Sequence, residues 1–319
     1  MDGTPTIGIV GKGALGLLFA DLATRTLGED AVTFVMDEAR YVRHGSTRYV
    51  VNGEARSFRT VPEGEAEPVD LAILAVKSPQ LAGALNVLEP LVGEGTCIVS
   101  VLNGITSEER VAERYGWHRV CGAVAQGMDA MRFGSELTYA HPGEIRIGDM
   151  GRSARGAAVV ERVDEVLSAA GIPHSVWDDI ELRMWAKFML NVGINQTCCV
   201  YGCAYGDVVG VPGSVRRTDR GEQFRTFVAA MREVVAVANA EGVGLTEAHL
   251  SEMVELVRGL DPDSIPSMAQ DRVNETYTEV ETFAGELCRR AARHGILVPT
   301  NEHLYRSVCA IEASWDLEG

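Results

Sequence analysis

Basic side chains are scarce in this chain: 29 lysines and arginines stand against 45 acids, a formal net charge of −16. That deficit excludes a broad basic face for nucleic acid or for an anionic membrane, because both require net positive surface. It still leaves room for a local basic pocket that holds a small anion. Long hydrophobic runs are missing as well. No stretch approaches the roughly 20 apolar residues of a membrane span. The opening MDGTPTIGIVGKGALG has no basic segment ahead of its apolar run, so no export signal is expected. Seven cysteines are present (Cys97, Cys121, Cys198, Cys199, Cys203, Cys288 and Cys309), but none forms a CxxC pair or keeps metal-site spacing with histidine. No metal centre is expected, and the thiols are read as reduced in a cytoplasmic protein. The grouping of Cys198 and Cys199 with Cys203 is unusual and reads as small residues packed in a helix. Internal repeats and low-complexity segments are absent.

What is present falls into two halves, and 319 residues suffice for two ordinary domains. The first half alternates short apolar runs with helical patterns. Strands are predicted over 6–10, 32–36, 71–76 and 97–102, with a helix after the first strand running through Ala23. Strands apolar throughout and separated by helices imply a parallel sheet covered on both faces. Shorter strands over 120–125, 144–148 and 174–176 extend it, with a helix over 155–170. Beyond Asp178 and Asp179 no convincing strand remains, and helices are predicted over 179–199, 220–241, 246–258, 267–294 and 301–314. Asp178 or Asp179, Thr246 and Pro266-Ser267 are helix-start signals, and Gly242 and Gly295 are stops. The expected organisation is an α/β domain over 1–178 and an all-helical domain over 179–319.

Gly11-Lys12-Gly13-Ala14-Leu15-Gly16 fits G-x-G-x-x-G between a strand and a helix, at the start of a βαβ unit. Gly11 permits the tight turn, Gly13 lets the backbone approach a pyrophosphate, and Gly16 lets the helix pack closely. The helix N-terminus supplies free N–H groups and a positive dipole end. A dinucleotide is therefore the expected cofactor. Asp37 ends the second strand, where an acid accepts a ribose 2′-hydroxyl and repels a 2′-phosphate. Arg40 and Arg43, one and two turns on, could instead hold that phosphate, so the residues alone leave NAD(H) and NADP(H) both open.

Other polar residues fall where a doubly wound sheet places ligands, at the C-terminal ends of its strands. Lys77 follows LAILAV, Gln80 is three residues on, and Asn103-Gly104 follows CIVSVL. In the second half Lys187, Asn191 and Asn195 stack on one face of an otherwise apolar helix, four residues apart. A lysine flanked by Trp185, Ala186, Phe188 and Met189 is partly desolvated, which makes it a tunable proton donor to a carbonyl oxygen. For Asn195 a structural network of buried amides explains the residue equally well. Ser267 opens a helix expected to carry Asp271 and then Glu279; these read equally as an N-cap and surface residues.

Taken together, GKGALG, AVKSPQ, LNGI, HPGEIRIGD, WAKFMLNVGIN, PSMAQD, TEVETFAGEL and HGILVPTNEHL resemble the ketopantoate reductase (2-dehydropantoate 2-reductase) family through nearly the whole chain. The resemblance implies a Rossmann-type domain followed by an all-α domain of the 6-phosphogluconate dehydrogenase C-terminal type. It implies transfer of hydride from NADPH to the 2-keto group of ketopantoate, giving pantoate for pantothenate and coenzyme A synthesis. Lys187 would be the general acid. Asn191 and Asn195 would bind and orient the substrate hydroxyl, and Ser267 would grip the carboxylate. Glu279 would hydrogen-bond near the reacting oxygen and tune the lysine. Lys77 and Asn103 would contact cofactor and substrate. NADP(H) is favoured on this resemblance. Asp37, standing where many members carry an arginine, admits NAD(H), and RVNETYTE lacks the basic residue often found before the Thr-Glu pair. The competing readings are a related dehydrogenase for another 2-keto or 2-hydroxy acid or an opine-type substrate, and a non-catalytic dinucleotide sensor. Apolar helix faces in the second half make a homodimer an expectation.

Overall fold

The structure, a computed structural model, describes residues 3–210 and 221–315. The chain forms two compact units, Met1–Glu181 and Leu182–Gly319.

The first unit is built on β1 (Ile7–Val10), whose four residues are all buried. It continues through α1 (Ala14–Leu27), β2 (Val32–Met36), α2 (Glu38–His44), β3 (Tyr49–Val51), β4 (Glu54–Arg56), β5 (Thr60–Pro62), β6 (Leu71–Leu74), α3 (Leu81–Leu88), β7 (Cys97–Ser100), α4 (Ser107–Tyr115) and β8 (Val120–Met128). β9 (Met131–Phe133), β10 (Glu136–Thr138), β11 (Pro142–Gly148), α5 (Gly156–Ala169) and β12 (His174–Val176) complete it. The main sheet has the order β12-β11-β8-β7-β6-β1-β2-β5. Its six strands from β5 to β8 are parallel and follow the doubly wound order, with the reversal between β1 and β6. Side chains alternate across the sheet. Ile7, Ile9, Leu71 and Ile73 enter a core with Leu17, Phe19 and Val163. Val10, Ala72 and Leu74 enter a second core with Leu81, Leu88 and Val111. Both faces are covered, which is why these strands are apolar at every position.

Two features depart from the sequence reading. β11 extends the sheet antiparallel to β8 and not parallel to it. Residues 129–141 between them hold only the β9–β10 hairpin and no crossover helix, and a parallel return needs such a crossover. A second, four-stranded sheet, β4-β3-β10-β9, was not anticipated. Its strands have three residues each, too short for a periodic signal, although the Asn52-Gly53 turn between β3 and β4 is a hairpin signature with both residues at positive φ.

The second unit, with the first residues of its leading helix shared with unit one, is helical throughout its described residues: α6 (Ile180–Tyr201), α7 (Tyr205–Val209), α8 (Glu222–Ala240), α9 (Glu247–Arg258), α10 (Ser267–Val273), α11 (Glu286–His294) and α12 (Pro299–Trp315). Arg220, the expected first residue of the helix realised as α8, lies outside the described residues. The helix expected over 267–294 is not continuous. It stops at Val273, passes Glu275 at φ 51°, and resumes through a π-helical turn, Glu281–Gly285, before α11. The cause is tertiary. Thr278 donates both its N–H and its hydroxyl to Glu312 on α12, at 2.8 and 2.6 Å, so that N–H is withheld from a helical ladder. Ser267 and Glu279 therefore do not share one helix.

No helix among the described residues is long and apolar enough to cross a membrane.

Candidate active site

The glycine loop is crowded where the sequence requires glycine. Gly11 takes φ +114°, and a Cβ there would lie 2.4 Å from the Ala75 carbonyl oxygen. A Cβ on Gly16 would lie 2.0 Å from the Gly11 carbonyl oxygen, so α1 can start this close only with glycine. Gly13 is different: a Cβ there would meet only the Ala75 oxygen, at 3.7 Å, so the loop is open on that side. Gly13 is also the N-cap of α1. It offers no side-chain cap, and the first turn carries no acid. Ala14 and Leu15 thus begin a 14-residue helix whose first N–H groups are left for a ligand. An open backbone cradle on an uncapped helix end fits a dinucleotide pyrophosphate.

Lys12 does not point into that cradle. Its ammonium is buried, donates to Thr60 Oγ1 on β5 at 2.6 Å, and lies 5.0 and 5.4 Å from the ring centres of Phe34 and Tyr49. Burial, with the Arg132 guanidinium adding to it, lowers the Lys12 ammonium to about 8. Its carbonyl oxygen accepts Arg132 Nη1 at 2.7 Å from β9.

At the end of β2, Asp37 caps α2, its Oδ1 accepting the Arg40 N–H at 2.8 Å. Its other oxygen lies 3.5 Å from Arg40 Nε, and Arg43 turns back to the Ala39 carbonyl. Lys77 and Gln80 lie after β6 and are exposed; Gln80 Oε1 accepts the Lys77 N–H at 3.1 Å. Asn103 is half-buried, beside Gly104 at φ +101°, in the loop between β7 and α4.

That loop is closed from below by residues the sequence reading did not select. Ser100, ending β7, donates to Ser107 Oγ at 2.8 Å, and Ser107 donates to Glu108 Oε2 at 2.9 Å. Glu108 is only 2% exposed and lies near the Ala123 N–H of β8, which runs on past the end of β7. Burial pushes the Glu108 carboxyl up to about 7. In SEERV it reads as a surface charge, and nothing local marks it as interior.

In the second unit, α6 presents the predicted face. Lys187 and Asn191 are half-buried, and the rings of Trp185 and Phe188, which flank Lys187 in sequence, pack edge to face at 5.7 Å. Asn195 is buried. Its Nδ2 donates to Asn191 Oδ1 at 3.2 Å, and its Oδ1 accepts both Ser267 Oγ at 3.0 Å and the Met268 N–H at 3.2 Å. Asn191, Asn195 and Ser267 are thus brought together, with Asn195 capping the start of α10 from a neighbouring helix. The carboxamide oxygen of Asn195 is thus engaged by the start of α10. Glu279 is buried at the foot of the π-helical turn, where its carbonyl accepts the Thr282 and Phe283 N–H groups at 2.9 and 3.1 Å.

Comparison with known proteins identifies the family. The family model described as ketopantoate reductase PanE/ApbA matches residues 7–152, and its C-terminal companion matches residues 179–312. The 2-dehydropantoate 2-reductase of Halobacterium salinarum is 28% identical, covering 91% of this chain and 93% of that protein. The Vibrio cholerae serotype O1 enzyme of the same name is 25% identical, covering 96% and 98%. Among solved structures, 2-dehydropantoate 2-reductase from Geobacter metallireducens GS-15 superimposes with a TM-score of 0.78 at 26% identity, covering 95% of this chain and 98% of that one. D-mandelate dehydrogenase in complex with NADH shares the fold, with a TM-score of 0.81 at 22% identity, covering 97% and 99%. The chain belongs to the ketopantoate reductase family of nicotinamide-dependent oxidoreductases.

Proposed function

We propose that the protein reduces the 2-keto group of ketopantoate to the corresponding 2-hydroxy acid. The observation that carries this reading is the polar face of α6: a half-buried ammonium in line with two amides, tied to an exposed serine hydroxyl. An ammonium and amides of this kind suit a small, polar, anionic substrate, whereas a purely structural helix would bear them at a cost.

The nicotinamide, when bound, supplies hydride to the carbonyl carbon. Gly11, Gly13, Ala14, Leu15 and Gly16 would hold its pyrophosphate through backbone N–H groups, and Lys77 and Asn103 would flank it at the sheet edge. As negative charge grows on the carbonyl oxygen, the Lys187 ammonium stabilises it and delivers the proton. Glu279 orients that ammonium. Asn191, whose oxygen is occupied by Asn195, keeps its amide N–H groups for the substrate hydroxyl. Asn195 acts through Asn191 and Ser267. Ser267 can grip a carboxylate only when its hydrogen rotates away from Asn195.

For the cofactor, Asp37 supports NAD(H) over the NADP(H) that the resemblance favours. A carboxylate at the end of the second strand would repel a 2′-phosphate, and Arg40, a cation that could hold one, already shares that carboxylate. Lys12 is turned toward β5 and adds no charge there. Absorbance loss of NADH and NADPH with ketopantoate tests both points. Rapid oxidation of NADH alone is expected. Preference for NADPH would overturn the Asp37 argument. Oxidation of neither, with dinucleotide binding established separately, would transfer the activity to another 2-keto acid or leave a sensor.

A further inference from the structure

Helix α6 ends in a turn with an uncommon content. Tyr201 is its last residue, Gly202 takes φ +59°, and the Cys203 N–H donates to the Cys198 carbonyl at 3.2 Å. A left-handed glycine followed by this six-to-one bond is a Schellman cap, in which the two bonded residues bring their side chains together, usually as an apolar contact. Here both are cysteines, so the turn sets their side chains on the same side of the helix end. The backbone bond also keeps the two Cα atoms near the roughly 4.4–6.8 Å that a disulfide spans.

The two thiols are not equivalent. Cys198 is fully buried, whereas Cys203 is only partly so. The neighbouring Cys198 thiol lowers the Cys203 thiol, and Arg272 adds to this against burial and Asp207. Arg272 is fixed at the turn: its Nη1 donates to the carbonyls of Cys199 and Val200, and a Cβ on Gly202 would meet that nitrogen at 3.4 Å. The more accessible thiol is thus the one held toward thiolate, and the buried thiol is its neighbour.

We propose that Cys203 and Cys198 are a redox-active pair that closes into a reversible disulfide when a hydroperoxide reaches it. The Cys203 thiolate attacks one peroxide oxygen; an S–O bond forms, the O–O bond breaks, and the leaving oxygen takes up a proton as water or alcohol. The resulting sulfenic acid is attacked by Cys198, which gives up its proton. The S–S bond forms, the S–O bond breaks, and the oxygen leaves as water. Two thiols lose two electrons and two protons, and the peroxide is reduced by the same two electrons. Cys199 is a poor partner for Cys198: consecutive Cα atoms are about 3.8 Å apart, short of the usual disulfide span, and a bridge there would strain the helix. The inference is independent of the substrate reading.

The test treats the reduced full-length protein with hydrogen peroxide, then counts thiols after denaturation and maps links by non-reducing peptide fragmentation. The count is expected to fall by two from seven, with the link placed between residues 198 and 203 and full recovery with dithiothreitol. Cys199→Ser should keep the link, and Cys203→Ser should abolish it. In Cys198→Ser, Cys203 should instead pass to sulfinic acid that dithiothreitol does not restore. A link through Cys199 would overturn the proposal. So would sulfinic acid at Cys203 of the unmodified chain without any link, or retention of all seven thiols at peroxide levels that oxidise exposed methionine.

Discussion

On the proposed function, the glycine loop and the polar face of α6 would handle small ligands by opposite means. In the loop the recognition groups are backbone N–H donors, and the side chains matter mainly by being absent: Gly16 has no room for a Cβ, and Gly13 leaves its side open. On α6 the recognition groups are side chains on a regular helix, held by partners far along the chain, with Ser267 reaching Asn195 from 72 residues away. A backbone site is specified locally and tolerates no added atoms. A side-chain site is specified by the fold and can lose one function at a time.

The largest effect that would sharpen this contrast is Lys187→Ala. Turnover should fall by roughly 10²–10⁴, while dinucleotide affinity by fluorescence titration stays unchanged. A parallel loss of affinity would break the division of labour. Gly16→Ala should do the reverse. A Cβ 2.0 Å from the Gly11 oxygen forces the loop and α1 apart, so dinucleotide affinity should fall on the order of a thousandfold, ~4 kcal/mol. Unaltered binding would show that the loop can relax.

Glu108 extends the comparison to pH. Its folded value, about 7, lies above the ordinary 4.5. An acid raised in this way favours the fold fully below pH 4.5, and that contribution is lost as pH rises through 7. Denaturant melts should show stability declining across that window by on the order of 3 kcal/mol, at about 1.4 kcal/mol per tenfold change in proton affinity. In Glu108→Gln, whose amide oxygen can still accept from Ser107, this component of the slope should vanish. An identical slope in both proteins would remove Glu108 from the account. The smallest effect is expected from Asn195→Ala. It strands the buried Met268 N–H at the start of α10 and should cost about 1–3 kcal/mol by the same melts.

The sequence makes the two kinds of site legible to different degrees. GKGALG could be read because the strand, the turn and the helix start lie within a few residues, and Lys187, Asn191 and Asn195 because helical spacing alone puts them on one face. The partners of Asn195 could not be read, since only the fold brings α10 to α6. The break after Val273 was invisible because residues 274–279 contain neither glycine nor proline; Glu312, on a different helix, draws Thr278 out of the ladder. The direction of Lys12 was equally hidden, for Thr60 and Tyr49 belong to strands of three residues. Asn52-Gly53, by contrast, was a local signal of the second sheet.

Arg132 reaches from β9 to the carbonyl of Lys12, the second residue of the glycine loop. One guanidinium therefore couples a small peripheral sheet to the backbone on which a pyrophosphate would rest. Whatever stiffens that loop is felt in the β9–β10 hairpin, so the slowing of amide hydrogen exchange on dinucleotide binding should spread from residues 11–16 to 131–138, well outside the ligand's own footprint.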